Sequence, residues 1–293
     1  MFVLFRYLLY FLGFYTFIML SCFALYTYLP RPPPILGFVA RSMSAYLTLI
    51  VCAAYGTVAS GILKLLGLHY PYAFWTVAKS FKWLGIYTMG VRFQILDNGE
   101  EILNNNRPVV IIANHQTELD VLLLGWIWPK HCSITAKKSL RNVPFLGWFM
   151  TLAGAVWINR VDRSEALKAF ESAAKAMREK QQSVVIFPEG TRSYSTQPML
   201  LPFKKGAFHL AVQAGVPIVP VVAENYSHVL NVKARRFNSG TIRVKVLDPI
   251  PTKGLTAADV DHLTRDTREK MLNVLEEMAK HPLAQTEQNK KDS

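Results

Sequence analysis

No aspartate or glutamate occurs in the chain before Asp97. That leading third carries only the cations Arg6, Arg31, Arg41, Lys64, Lys79, Lys82 and Arg92. All 20 acidic residues fall in the rest of the 293-residue chain, and this shift in charge marks its main internal boundary. Cysteine is scarce as well. Cys22, Cys52 and Cys132 lie far apart and none is in a CxxC pair; Cys132 follows His131, but no second cysteine or histidine stands near that pair in the chain. That argues against a disulfide framework and a zinc-ligand pattern, and suits a reducing, cytosol-facing compartment. A GxSxG segment, the elbow that presents the serine of many lipid hydrolases, is missing. There is no internal repeat and no long basic arm. The net charge of +13 therefore points to an anionic membrane surface as partner rather than to nucleic acid.

What is abundant is apolar. Hydrophobic residues make up 51% of the chain, and mean hydropathy is positive. Residues 7–29 carry no charge, and a bilayer core needs ~20 such residues as helix. Aromatics run on to Tyr26 and Tyr28, and Arg31-Pro32-Pro33-Pro34 follows, which favours an anchor over a cleaved signal peptide. Residues 42–63 form a second uncharged run, richer in Ala, Gly, Ser and Thr, as helix-contact faces in membranes are. Over residues 65–90, Lys79 and Lys82 alternate with Tyr70, Tyr72, Trp75, Trp83 and Tyr87. Cations among Trp and Tyr suit a helix lying in the membrane interface. Residues 1–90 are thus expected to anchor the chain.

From residue 91 short β-type runs alternate with helical stretches. The runs are 91–96, 109–113, 133–136, 155–158, 184–187, 218–223 and 242–247. Helical stretches fall at 121–128, 145–152, 163–180 and 206–214, and Thr256-Ala257-Ala258-Asp259 resembles a capping box opening a last helix to about residue 280. Runs such as Val109-Val110-Ile111-Ile112 are apolar on both faces, as in strands covered by helices. The expected fold is α/β over residues 91–280, a mostly parallel sheet flanked by helices, behind N-terminal membrane helices. Residues 281–293 read as a polar tail.

Three groups of residues carry chemistry. Asn114-His115-Gln116-Thr117-Glu118-Leu119-Asp120 joins a strand to an apolar helix. Asp120 can hold one imidazole nitrogen of His115 and leave the other to take a proton from an alcohol. Of the seven histidines only His115 has an aspartate at this offset. On spacing alone, a surface histidine with a helix cap at Asp120 stands about even with that role. Phe187-Pro188-Glu189-Gly190-Thr191-Arg192-Ser193 directly follows another strand. Gly190 lets backbone N–H groups approach an anion, Thr191 adds a donor, and Arg192 can grip a phosphate with two parallel bonds. Glu189 is odd in an anion site, and orienting Arg192 is one role for it. In isolation this stretch reads more simply as a polar turn. Lys137-Lys138 and Arg160 also follow strands, where solvated charges are ordinary. In a parallel sheet those strand ends share one edge, the usual place of α/β ligand sites.

Taken in order, four blocks resemble a known family. They are Asn114-His115-x-x-x-x-Asp120; Pro144-Phe145-Leu146-Gly147-Trp148 with Gly154 and Ile158-Asn159-Arg160; Phe187-Pro188-Glu189-Gly190-Thr191-Arg192; and Val216-Pro217-Ile218-Val219-Pro220-Val221. These match the blocks of the glycerolipid acyltransferases, and most nearly the 1-acyl-sn-glycerol-3-phosphate acyltransferases of the fungal endoplasmic-reticulum type. Asn159 departs from the pattern, which usually has Asp before the arginine. The resemblance implies acyl transfer from acyl-CoA, as co-substrate, to the sn-2 hydroxyl of lysophosphatidic acid. It implies His115 as general base, Asp120 as its orienting partner, and a phosphate site from Glu189, Gly190, Thr191 and Arg192, with Lys137 and Arg160 as further contacts. No metal and no other cofactor is implied. Lys290-Lys291-Asp292-Ser293 resembles a dilysine retrieval signal, which would suit an endoplasmic-reticulum membrane protein with its catalytic domain in the cytosol. The rivals are an acyltransferase for glycerol-3-phosphate or another lysophospholipid, a non-catalytic membrane adaptor on the same fold, and a lipid hydrolase.

Overall fold

The computed structural model describes residues 2–159 and 161–281. Arg160, expected at the site, and the tail with its two lysines lie outside the described residues. In chain order the elements begin with α1 (Phe2–Tyr28), α2 (Pro34–Leu65), α3 (His69–Met89), β1 (Val91–Ile95) and α4 (Gly99–Asn105). Next come β2 (Val110–Ala113), α5 (Asp120–Ile127), β3 (Cys132–Lys137), α6 (Leu146–Leu152), β4 (Val156–Ile158) and α7 (Arg163–Lys180). The chain continues through β5 (Ser183–Ile186), α8 (Gly206–Ala214), β6 (Ile218–Ala223), β7 (Leu230–Asn231), β8 (Arg236–Phe237), β9 (Gly240–Val246) and α9 (Val260–Lys280).

Seven strands form one sheet in the order β1-β9-β6-β2-β5-β3-β4. Each neighbouring pair is parallel except β6 with β9. The fold is therefore the expected mostly parallel α/β sheet, and only β1 and β9 run against the rest. The short strands β7 and β8 pair as a separate hairpin. Side chains alternate between two covered faces. Ile111, Val185 and Val219 join Phe74, Phe81 and Leu123 of α3 and α5 on one side. Val110, Ile112 and Val184 meet Ala174, Phe208 and Met271 of α7, α8 and α9 on the other. Each fully buried aliphatic side chain of this kind contributes about 1.5–3 kcal/mol, so both faces hold the strands in register.

Helices α1 and α2 are long and apolar enough to cross a membrane. α2 begins at Pro34, not near residue 42 as the uncharged run suggested. Arg41, which ends that run, sits inside the helix. Its Nε donates to the Met89 carbonyl at 3.2 Å and its Nη1 to the Phe237 carbonyl at 3.1 Å. The guanidinium also lies 5.1 Å from the centre of the Tyr26 ring. A cation can thus be carried in an apolar helix because carbonyls and an aromatic face receive it. One face of α2, with Ala40, Ser44, Thr48, Cys52 and Gly56, is buried, and Cys52 belongs to the same core as the sheet. α3 buries Phe74, Val77, Phe81 and Met89, and turns Trp83 and Tyr87 outward.

Candidate active site

The strands β2, β5, β3, β4 and β6 all point the same way, so their C-terminal ends share one edge. At the end of β2, Asn114 is fully buried and stitched to β6. Its side-chain amide donates to the Ala223 carbonyl at 2.9 Å and its oxygen accepts from the Ala223 N–H at 2.9 Å. Gln116 repeats the device on the Glu224 carbonyl at 2.8 Å. The chain is thereby forced off the sheet between two pinned residues, and His115 stands there.

Asp120, the first residue of α5, has no exposed surface. Its Oδ2 accepts from His115 Nδ1 at 2.7 Å, the Gln116 N–H at 2.7 Å and the Thr117 N–H at 3.1 Å. Its Oδ1 accepts from the Tyr226 hydroxyl at 2.6 Å. The bonds run back to the preceding loop and not forward into α5, so Asp120 is not a helix cap. A carboxylate surrounded by donors needs its proton on His115 Nδ1, which leaves the Nε2 lone pair outward. The His115 ring stacks on Phe187 at 4.3 Å between centres, and its side chain is 19% exposed. Burial, and then the neighbouring Asp120 charge, push the Tyr226 hydroxyl well above its usual range. Tyr226 therefore stays a neutral donor.

The loop after β5 is zipped to the loop after β2. Ser193 N–H donates to the His115 carbonyl and Tyr194 N–H to the Gln116 carbonyl, both at 3.0 Å. Glu189 does not orient Arg192. Its Oε1 accepts from the His115 N–H at 2.7 Å and its Oε2 from the Leu201 N–H at 2.9 Å. Burial raises the pKa of this carboxyl, while those two N–H donors pull it back. Glu189 is thus a brace between loops. The residue on Arg192 is Glu118, from within the His115–Asp120 segment. Arg192 Nη1 donates to Glu118 Oε1 at 3.0 Å, and Tyr194 donates to the same oxygen at 2.7 Å. Burial disfavours the Arg192 cation, but Tyr194, Glu118 and Asp120 outweigh it and raise its pKa. The guanidinium is charged at any working pH.

Gly190 has φ +69°, a conformation that favours glycine. A Cβ there would sit 2.8 Å from Lys204 Nζ, so the Lys204 side chain lies across the turn. Thr191 is exposed beside it. Lys137 is exposed at the end of β3. β3 stands two strands from β2, ~10 Å away at the usual strand spacing. Asn159, at the end of β4, donates to Glu165 Oε2 at 2.7 Å and accepts from the Val161 N–H at 3.1 Å. Lys138 also binds Glu165. Lys138, then Asn159, hold this carboxyl below its usual range. An aspartate at 159 would meet Glu165 with like charge, which accounts for the amide here.

The edge therefore brings His115, Asp120, Glu189, Gly190, Thr191 and Arg192 together, with Lys137 farther along. Tyr226, Glu118, Tyr194 and Lys204 were not legible in the sequence. Tyr226 is distant from Asp120 in the chain and sits in no motif. Glu118 occupies a variable-looking place inside a spacing pattern. Lys204 would have been found only by asking which cation follows a glycine turn.

Residues 94–224 match the Acyltransferase family. An acyltransferase of Schizosaccharomyces pombe is 44% identical over 247 residues, covering 84% of this chain and 87% of that one. The 1-acyl-sn-glycerol-3-phosphate acyltransferase of Saccharomyces cerevisiae is 40% identical over 245 residues, covering 84% and 80%. The crystal structure of the 1-acyl-sn-glycerophosphate (LPA) acyltransferase PlsC from Thermotoga maritima superposes with a TM-score of 0.63 at 21% identity, covering 83% of this chain and 95% of that one. That likeness bears on the fold. The identities to full-length relatives bear on the family, and on them this chain belongs to the 1-acyl-sn-glycerol-3-phosphate acyltransferase family.

Proposed function

We propose that the chain acylates the sn-2 hydroxyl of 1-acyl-sn-glycerol-3-phosphate from acyl-CoA, giving phosphatidic acid, with His115 as general base. The observation that carries this is the His115 Nδ1–Asp120 Oδ2 bond of 2.7 Å on a loop zipped to that of Arg192. The acceptor hydroxyl attacks the thioester carbonyl carbon as its proton passes to His115 Nε2. The C–S bond then breaks, and that proton leaves with the CoA sulfur. The chain needs no nucleophile of its own, and Cys132, buried with its thiol pKa pushed up, is unsuited to be one. Arg192 would grip the phosphate of the acceptor, with Gly190, Thr191, Lys204, Lys137 and Arg160 as further contacts. The test is product identity from purified protein given oleoyl-CoA with lysophosphatidic acid, glycerol-3-phosphate or lysophosphatidylcholine. Phosphatidic acid is the expected main product, and a preference for lysophosphatidylcholine would overturn the assignment.

The two apolar N-terminal helices associate the enzyme with membrane, and its acceptor is itself a membrane lipid. We place it in the endoplasmic-reticulum membrane with its catalytic edge on the cytosolic side. Two helices joined by a short turn return the chain to the side it entered from, so both termini are expected in the cytosol. Protease added to sealed microsomes should remove an epitope on the C-terminal tail; protection of that epitope would refute the orientation.

A further inference from the structure

Between Asp120 and Asp162 the chain has no acidic residue. In the middle of this stretch lie the connection from β3 to α6 and the first turn of α6, and they leave four apolar side chains exposed. Leu140 is 38% exposed, Val143 39%, Phe145 42% and Trp148 52%. Lys137, Lys138 and Arg141 flank them. The arrangement is held rigidly. Phe145 has φ +59° and ψ −56°, and Leu146 N–H bonds the Pro144 carbonyl at 2.6 Å. This is a γ-turn of the hand that ordinary residues avoid. Gly147 is pressed so close to the Arg141 carbonyl that a Cβ would lie 2.1 Å from its oxygen. Together these turn the Phe145 ring outward beside Trp148, with ring centres 5.3 Å apart. A strained backbone that exposes two aromatic rings is costly unless something covers them.

The position of the tip says what covers it. Thr57 of α2 donates to the Phe145 carbonyl at 3.0 Å, and Gly56 sits against the Phe149 ring. The outward face of α2 beside them, with Tyr55, Val58 and Ile62, is exposed and apolar. The tip thus continues the surface of a helix long and apolar enough for a membrane. Aromatic rings with flanking Lys and Arg are the composition of a membrane–water boundary.

We propose that residues 140–148 form a second membrane contact, a preformed apolar tip that enters an anionic phospholipid bilayer beside α2. Its cations would lie at the level of the lipid phosphates, and the catalytic edge at the end of β3 would be held against the lipid surface. This rests on the reading that α1 and α2 sit in lipid, and the test separates the two. A nitroxide is attached to a cysteine at Trp148, at Phe14 on α1, or at Lys175 on α7, in the full chain with Cys22→Ala. Each protein is reconstituted into vesicles of phosphatidylcholine and phosphatidylglycerol. Collision with oxygen, which concentrates in lipid, is compared with collision with a water-soluble nickel chelate. The expected result is an oxygen-to-nickel ratio several-fold higher at 148 than at 175, and comparable to that at 14. A ratio at 148 like that at 175, with 14 in lipid, overturns the proposal alone. Shielding of 148 from both probes would mean a protein partner and also overturns it. Water exposure at 14 as well overturns the membrane reading of α1, and the proposal with it.

Discussion

His115→Ala is expected to lower acyl transfer by about 10²–10⁴, the usual loss when a positioned base is removed. It should leave the fold nearly intact. The side chain is partly exposed, and its loss still leaves Asp120 with the Gln116 and Thr117 N–H groups and the Tyr226 hydroxyl. Asp120→Ala is a different experiment. It removes the acceptor from four buried or half-buried donors at once, and each group left unpaired costs about 1–3 kcal/mol. A large drop in thermal stability is expected there, so inactivity of that variant says little about chemistry. Asp120→Asn is the cleaner partner. Its amide oxygen can keep the bonds to His115, Gln116 and Thr117, and only the Tyr226 hydroxyl, now facing the amide nitrogen, loses its acceptor. What it loses is the negative charge that stabilises the imidazolium formed when His115 takes the proton. Activity should fall by orders of magnitude with a much smaller change in melting temperature than for Asp120→Ala. Near-normal turnover by a well-folded His115→Ala enzyme would sink the general-base mechanism.

How much of this is legible in the sequence depends on whether the relevant force is local. All seven sheet strands stand where apolar runs predict them, because strands covered on both faces must be rich in residues such as Val and Ile throughout. α7 starts and ends as expected, since Asp162 accepts the Glu165 N–H at 3.0 Å and marks the start. Strand direction is another matter. A run like 242–247 has the same pattern read either way, so the antiparallel seating of β9 on β6 is decided by the hairpin and bridging segments. α4 and the β7–β8 hairpin are too short to show a period. The start of α2 was misplaced because charge alone breaks an apolar run at Arg41, whereas the carbonyls that satisfy Arg41 come from Met89 and Phe237. In the site, the His115–Asp120 pair is legible because five residues of local chain bring it together. Glu189 and Glu118 are not, since which carboxylate meets Arg192 follows from how two loops zip, and no spacing encodes that.

Arg192→Lys keeps a positive charge and is nevertheless expected to damage the enzyme. Glu118 and Tyr194 already occupy Nη1, which fixes the plane of the guanidinium and leaves the rest of the fork for substrate. The buried Nε has no partner among the described residues, and a phosphate oxygen would supply one. A lysine has a single nitrogen for both tasks. If it bonds Glu118 it is pulled from the phosphate, and if it reaches the phosphate it leaves Glu118 with Tyr194 but without its cation, next to an anion. Lysophosphatidic acid carries a phosphate monoester with terminal oxygens suited to a two-pronged grip, whereas a choline head group would block an oxygen and bring a like charge toward Arg192 and Lys204. Losing one charge-assisted bond of about 1.5–3 kcal/mol corresponds to roughly 10–100-fold. That loss should appear mainly as a raised KM for lysophosphatidic acid, with the KM for acyl-CoA much less changed. If Arg192 instead meets the phosphates of CoA, the donor KM would rise and the acceptor KM would hold. Steady-state kinetics of Arg192→Lys with each substrate varied in turn decides which phosphate the fork was built to receive.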